Sequence, residues 1–193
     1  MFQPPKPVQK TAFVLLGLLL SLSVNAQQQT SSAPLELPSD SLNTLLFALK
    51  RSDMIAFLED KGAFTVFAPS DAAFRQMEAR DMRQLLLPEN KQTLKSLMAY
   101  HVVAGKLSAS KILQALCRGE GSASFTTIQG EELLASMEGT DIILTDCSGN
   151  QARITAADTS CRNLVFHQID HVILPGPLQP LSVKPSEKRV SSR

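Results

Sequence analysis

Ten residues, Thr65-Val66-Phe67-Ala68-Pro69-Ser70-Asp71-Ala72-Ala73-Phe74, constrain the fold of this chain more than any other stretch. Thr65, Val66 and Phe67 are β-branched or aromatic and suit a pleated, buried surface. Pro69 has no amide hydrogen and biases Ala68 towards extended geometry, so a strand is expected to stop there. Ser70 or Asp71 can then accept from the free amides of the next turn as a helix N-cap. Asp71 also sits at the positive end of the helix dipole. Phe74 and Met77 share one helical face at i, i+3. The stretch predicts a strand that turns directly into a capped helix. Ser70 lacks the glycine-flanked elbow that exposes a nucleophilic serine, so its predicted work is capping.

Residues 1–26 have the pattern of a secretory signal of bacterial style. Lys6 and Lys10 supply the positive start, and Ala12 to Leu22 is almost wholly apolar but short for a bilayer span. Val24-Asn25-Ala26 suits signal peptidase, with Gln27 as the expected first mature residue. The chain of 193 residues has a net charge of +1. Losing the two lysines takes it to about −1. That is no footprint for nucleic acid, which needs a concentrated basic face. The expected compartment is periplasmic or extracellular, where disulfides persist. Cys117, Cys147 and Cys161 make an odd set, so one intramolecular bond at most can form. Cys147 and Cys161 flank a predicted hairpin and are the candidate pair. Their spacing suits neither a redox C-x-x-C nor a zinc site.

Residues 27–37 are polar and predict a flexible leader. Leu42, Leu45, Leu46 and Leu49 then follow helical spacing, with Asp40 or Ser41 as the expected cap. Met54, Ile55 and Leu58 continue it after a break where Ser52 or Asp53 can cap again, and Gly62 suits a left-handed helix end. Beyond Phe74, helices are predicted from Asp81 to Leu87, from Asn90, and from Ser108. Tyr100 to Val103 reads as strand. From Ser124 the chain turns β-rich: Phe125 to Ile128, Leu133 to Ser136, Ile142 to Thr145, Arg153 to Thr155, and a long last strand from Leu164 to Leu174. Ser148-Gly149-Asn150 is a turn signal. Residues 176–193 are basic and proline-rich, and predict a disordered tail.

Three separated stretches resemble one family in order and spacing. Thr65 to Phe74 resembles the first signature of the fasciclin domain. Tyr100-His101-Val102-Val103-Ala104-Gly105-Lys106-Leu107 resembles its central tyrosine–histidine segment. Asn163 to Pro175, with His167 and Asp170, resembles its second signature. The resemblance runs from Pro38 to Pro175. It implies an α+β fold, a wedge-shaped β-sandwich flanked by several α-helices. It further implies a secreted, non-catalytic adhesion module that needs no cofactor or metal. Extracellular protein, glycan or membrane surfaces are the implied partners, and monomer or weak self-association the expected state. The signature residues Thr65, Phe67, Ala68, Pro69, Asp71, Phe74, Tyr100, His101, Asn163, His167, Asp170 and Pro175 are expected to hold the fold. Leu164 stands where the family usually has glycine, so a turn needing positive φ is expected to be reshaped. The integrin-contacting acidic motifs of animal members have no counterpart here.

A buried His101 is expected to donate to a backbone carbonyl or a carboxylate. His167 and His171 lie four apart and would share one face of a strand, about 13 Å from each other and too far to hold one metal. The competing function is a small secreted hydrolase or cysteine enzyme using Cys161 with His101 or His167. It requires a thiol and an imidazole within roughly 3 Å in a cleft.

Overall fold

A computed structural model describes residues 40–176. The signal segment 1–26, the leader 27–37 and the tail beyond Gly176 lie outside those residues. In chain order the elements are α1 (Asn43–Arg51), α2 (Met54–Asp60), β1 (Phe64–Pro69), α3 (Asp71–Gln76), α4 (Ala79–Leu85), α5 (Lys91–Tyr100), β2 (Val102–Ala104), α6 (Ala109–Arg118), β3 (Ser122–Thr126), β4 (Glu132–Glu138), β5 (Asp141–Thr145), β6 (Gln151–Cys161) and β7 (Leu164–Ile169). A 3₁₀ turn at Asp40–Leu42 precedes α1, and another at Pro88–Asn90 precedes α5.

The strands form one seven-stranded sheet in the order β2-β1-β7-β6-β5-β4-β3. Only β1 and β7 run parallel, with Thr65 opposite Val165 and Phe67 opposite His167. The sheet curls until its two edges meet. Val103 bridges Thr127, and the Ile128 amide donates to Val102 O at 2.8 Å. The result is α+β and close to a barrel.

Period-two alternation on β1 and β7 divides the interior. Phe64, Val66, Ala68, Leu164 and Phe166 face a helical layer built on α1, α2 and α5. Phe67 and Ile169 face the inside of the curl, with Tyr100, Leu133, Leu144 and Ile112 of α6. Both faces of β1 are buried, which explains its unbroken apolar run. Each fully buried Leu or Phe contributes roughly 1.5–3 kcal/mol.

Several sequence expectations need correction. Tyr100 and His101 close α5 instead of opening a strand; the His101 amide bonds Met98 O at 3.2 Å. Ser52 closes α1 rather than capping α2. Its hydroxyl donates to Ala48 O at 2.8 Å. β7 ends at Ile169, short of Leu174, because its parallel neighbour ends at Pro69 and the chain there turns into α3. His171 therefore lies beyond the strand and shares no strand face with His167. β6 is far longer than expected and bends at two irregularities, near Thr155 and near Asp158, where φ is 60°. The left-handed residue before β7 is Arg162, at φ 54°, so Leu164 can start the strand fully buried.

The Cys147–Cys161 disulfide does not form: among the described residues none of Cys117, Cys147 and Cys161 is in a disulfide. Cys147 lies before the first residue of β6 and Cys161 is its last. Eleven strand residues separate the ends by roughly 30 Å, whereas a disulfide needs α-carbons within about 7 Å. Thiol titration of the unfolded, unreduced domain is expected to count three thiols per chain; a count of one restores the bridge.

Candidate functional site

The three signature segments meet at Leu107. Its amide donates to the Thr65 hydroxyl at 2.8 Å, and that hydroxyl donates to Gly105 O at 2.7 Å. The Leu107 carbonyl faces Nε2 of His167 at 2.7 Å. Thr65 and His167 come from the parallel pair β1 and β7, two registers apart, so they reach the same loop from one face. Gly105 turns that loop at φ 88°, a conformation suited to glycine. Ser108 follows and caps α6, accepting from Lys111 N at 3.3 Å.

His167 is fully buried, and both of its ring nitrogens are hydrogen-bonded. Nε2–H donates to Leu107 O, and Nδ1 accepts from the Asp158 amide at 3.3 Å. Its ring stacks on Phe67 at 5.8 Å. Asp158 also holds the start of α6, accepting from Ala109 N at 2.8 Å.

Ser70 caps α3, accepting from Ala73 N at 3.1 Å. Asp71 does something the sequence alone could not show. Oδ1 accepts from Thr44 N at 2.7 Å, so it caps α1 rather than its own helix. The residue at the N-cap position of that helix is Leu42, the last of the 3₁₀ turn, and it offers no side-chain cap bond. Burial pushes the Asp71 carboxyl up, but hydrogen bonds from Thr44 and Asn43 outweigh it and hold it below its usual value.

Asn163 clamps the end of α2. Its Nδ2 donates to Leu58 O at 2.9 Å and to Gly62 O. Asp170 accepts from Arg153 N at 2.7 Å and pairs with exposed His171 at 2.9 Å. Burial raises the Asp170 carboxyl, yet those bonds leave it lower than usual. Ala68, Pro69, Phe74 and Pro175 are buried.

Tyr100 reaches across the curl. Its hydroxyl donates to Glu132 O at 3.1 Å and accepts from Cys147 N at 3.3 Å. Burial drives its phenol well above the ordinary value. His101 is 1% exposed. Its Nδ1–H donates to Leu97 O at 2.8 Å, while Nε2 is buried with no hydrogen-bond partner among the described residues. Burial pushes this imidazole down to about 4, against partial opposition from the Leu97 carbonyl and the Asp146 charge.

Sequence reasoning missed Asp146. It is 5% exposed. It accepts from Ser148 N, Asn150 N, Asn150 Nδ2 and Leu174 N, all within 3.0 Å. It thus ties the β5–β6 turn to the approach to Pro175. The signal was present: an aspartate ahead of Cys147-Ser148-Gly149-Asn150 is an Asx-turn pattern.

The geometry does not assemble an acid–base–nucleophile set. The imidazoles of His101 and His167 address backbone groups rather than Cys161. Among the described residues, no cluster of three or more His, Cys, Asp or Glu is placed to hold a metal. No helix among them is long and apolar enough to cross a membrane.

A curled, nearly closed seven-stranded sheet, with helices packed against it and its polar signature side chains tied to the backbone, defines an α+β scaffold domain. The chain belongs to the fasciclin domain family, whose model matches residues 40–175. It is 35% identical over 137 residues to Protein sll1483 of Synechocystis sp., covering 71% of this chain and 69% of that protein. It is 30% identical over 114 residues to the cell surface glycolipoprotein MPB83 of Mycobacterium bovis, covering 59% of this chain but only 44% of the relative. In fold it matches the FAS1 domain pair from the insect cell adhesion molecule fasciclin I, with a TM-score of 0.54 and 20% identity. That match covers 69% of this chain and 45% of the pair.

Proposed function

We propose that the chain is a secreted, non-catalytic adhesion module that engages an extracellular protein, a glycan or a membrane surface. Membership of the fasciclin family carries this reading. The name of the mycobacterial relative, a cell surface glycolipoprotein, supports the compartment. So does the pattern of residues 1–26. The polar signature residues support a non-catalytic role. Thr65, Asn163, Asp170 and both buried histidines are engaged with backbone groups inside the fold. Recognition then falls to the helices and loops between the signatures, which are free to vary without loosening those ties. The cysteine-enzyme alternative needs an imidazole on a thiol, and the two buried histidines point elsewhere.

The test is a binding screen of the mature chain against immobilised matrix proteins, a glycan array and vesicles of neutral or anionic lipid. Saturable binding within one class is expected. Failure in all of them overturns the adhesion reading while leaving the fold untouched.

A further inference from the structure

The curled sheet has an outer face as well as an inner one. Leu133, Ala135 and Leu144 point into the core, so by alternation Glu132, Leu134 and Thr145 point outwards. Ser124, Leu134 and Thr145 stand in register on β3, β4 and β5 and make a row across that face. With Glu131, Glu132 and Cys147 they line an open groove of about 730 Å³. We propose that this groove docks an extended segment of a partner protein, one that sets a lysine or arginine two residues from an aliphatic side chain. The proposal rests on the adhesion reading and names the chemistry of the partner.

Charge complementarity and spacing carry it. Among the described residues the lining holds three carboxylates and no lysine, arginine or histidine. Asp146 is engaged by four N–H donors of the fold. Glu131 and Glu132 form no ion pair among the described residues, whereas Glu138 and Asp141, further along the same hairpin, both meet Arg153. The two carboxylates stand on fixed backbone. Glu131 O accepts from Thr127 N at 2.9 Å, and Glu132 O accepts from the Tyr100 hydroxyl at 3.1 Å. A cation arriving there meets preorganised charge with no cation of the lining in competition. Leu134 is 44% exposed, two residues along the same strand face from Glu132, a spacing of roughly 7 Å. An extended partner repeats its side chains at that same spacing, so one aliphatic side chain covers Leu134 while the next on its face meets Glu132. An anionic lipid surface is repelled by these carboxylates.

Cys147 lines the groove, while Cys117 lies on α6 outside it, and both are exposed. Their alkylation rates on the full chain, read by mass spectrometry, therefore report whether the groove is filled. The probe is acetyl-Lys-Ala-Leu-Ala-Lys-amide, with acetyl-Glu-Ala-Leu-Ala-Glu-amide as the control. The lysine peptide is expected to slow Cys147 alkylation saturably and to leave Cys117 unchanged, and the glutamate peptide to slow neither. Glu131→Gln/Glu132→Gln is expected to raise the lysine peptide's half-protection concentration about tenfold, through two exposed charge contacts. Leu134→Ala is expected to raise it with both carboxylates in place. No slowing, equal slowing of both thiols, or a double variant that binds as before overturns the proposal. Faster Cys147 alkylation of the peptide-free chain carrying Lys184→Gln/Lys188→Gln/Arg189→Gln also overturns it, because the chain's own cations then fill the groove. A partner found in the binding screen that leaves Cys147 unprotected overturns this site and leaves the adhesion reading standing. Peptide binding with an empty screen overturns the adhesion reading alone.

Discussion

Between pH 6.5 and about pH 4 the folded domain is expected to lose on the order of 3 kcal/mol of stability through His101 alone. The folded ring stays neutral down to about pH 4, because burial penalises the charged form. The unfolded chain takes up that proton near its ordinary value of about 6.5. Over this window the unfolded state therefore binds more protons, and stability falls as pH falls. Above it both states are neutral and the contribution is fully present. Protonation also has no acceptor for Nε2–H among the described residues. Urea unfolding at pH 7 and pH 4.5 measures the effect. His101→Gln removes the titrating group, so its loss between the two pH values is expected to be smaller by about 2 kcal/mol. Equal losses in both proteins sink the assignment. Asp71 and Asp170 act in a different window. Their lowered carboxyls support the fold above the ordinary value of 3.8, and that support goes as pH falls below it.

Thr65→Val is expected to cost about 2–3 kcal/mol, although valine matches threonine in shape. The hydroxyl is the shared partner of Gly105 O and Leu107 N. Removing it leaves two backbone groups of the central segment without that partner, and Thr65 itself is fully buried. The loss should spread, because Leu107 is also where His167 bonds and where α6 begins. Thr65→Ser keeps the hydroxyl and gives up one methyl, at about 1 kcal/mol. Denaturant midpoints compare the two. If valine is no worse than serine, the knot at Leu107 contributes little and the three signatures are held together by packing alone.

The difference between these residues and Asp71 shows what a sequence can disclose. Ser70 and Ser108 cap the helices that immediately follow them, because an N-cap bond spans three residues. Such bonds are legible locally. Asp71 sits one residue after Ser70 and carries the same capping chemistry, yet it serves Thr44. Nothing within three residues of Asp71 discloses a helix start 27 positions earlier. The cysteines repeat the lesson. Short sequence separation made Cys147 and Cys161 a plausible pair, but the intervening residues form one extended strand that holds them apart. Tyr100 and His101 fell on the wrong side of a boundary for a similar reason. Their bulk suits a strand, but α5 continues until the His101 carbonyl can meet Phe67 N, at 2.8 Å.

By itself the sequence determined the element types, the strand stop at Pro69, the local caps and the family, since these rest on periodicity, proline chemistry and short-range bonds. The tertiary structure alone decided what the signature residues do. β1 and β7 lie side by side and parallel, although about a hundred residues separate them. That pairing brings Thr65 and His167 to the two sides of Leu107. Contacts so distant along the chain exist only where β1 and β7 pair. Closure depends on the summed burial of both cores and on no single motif.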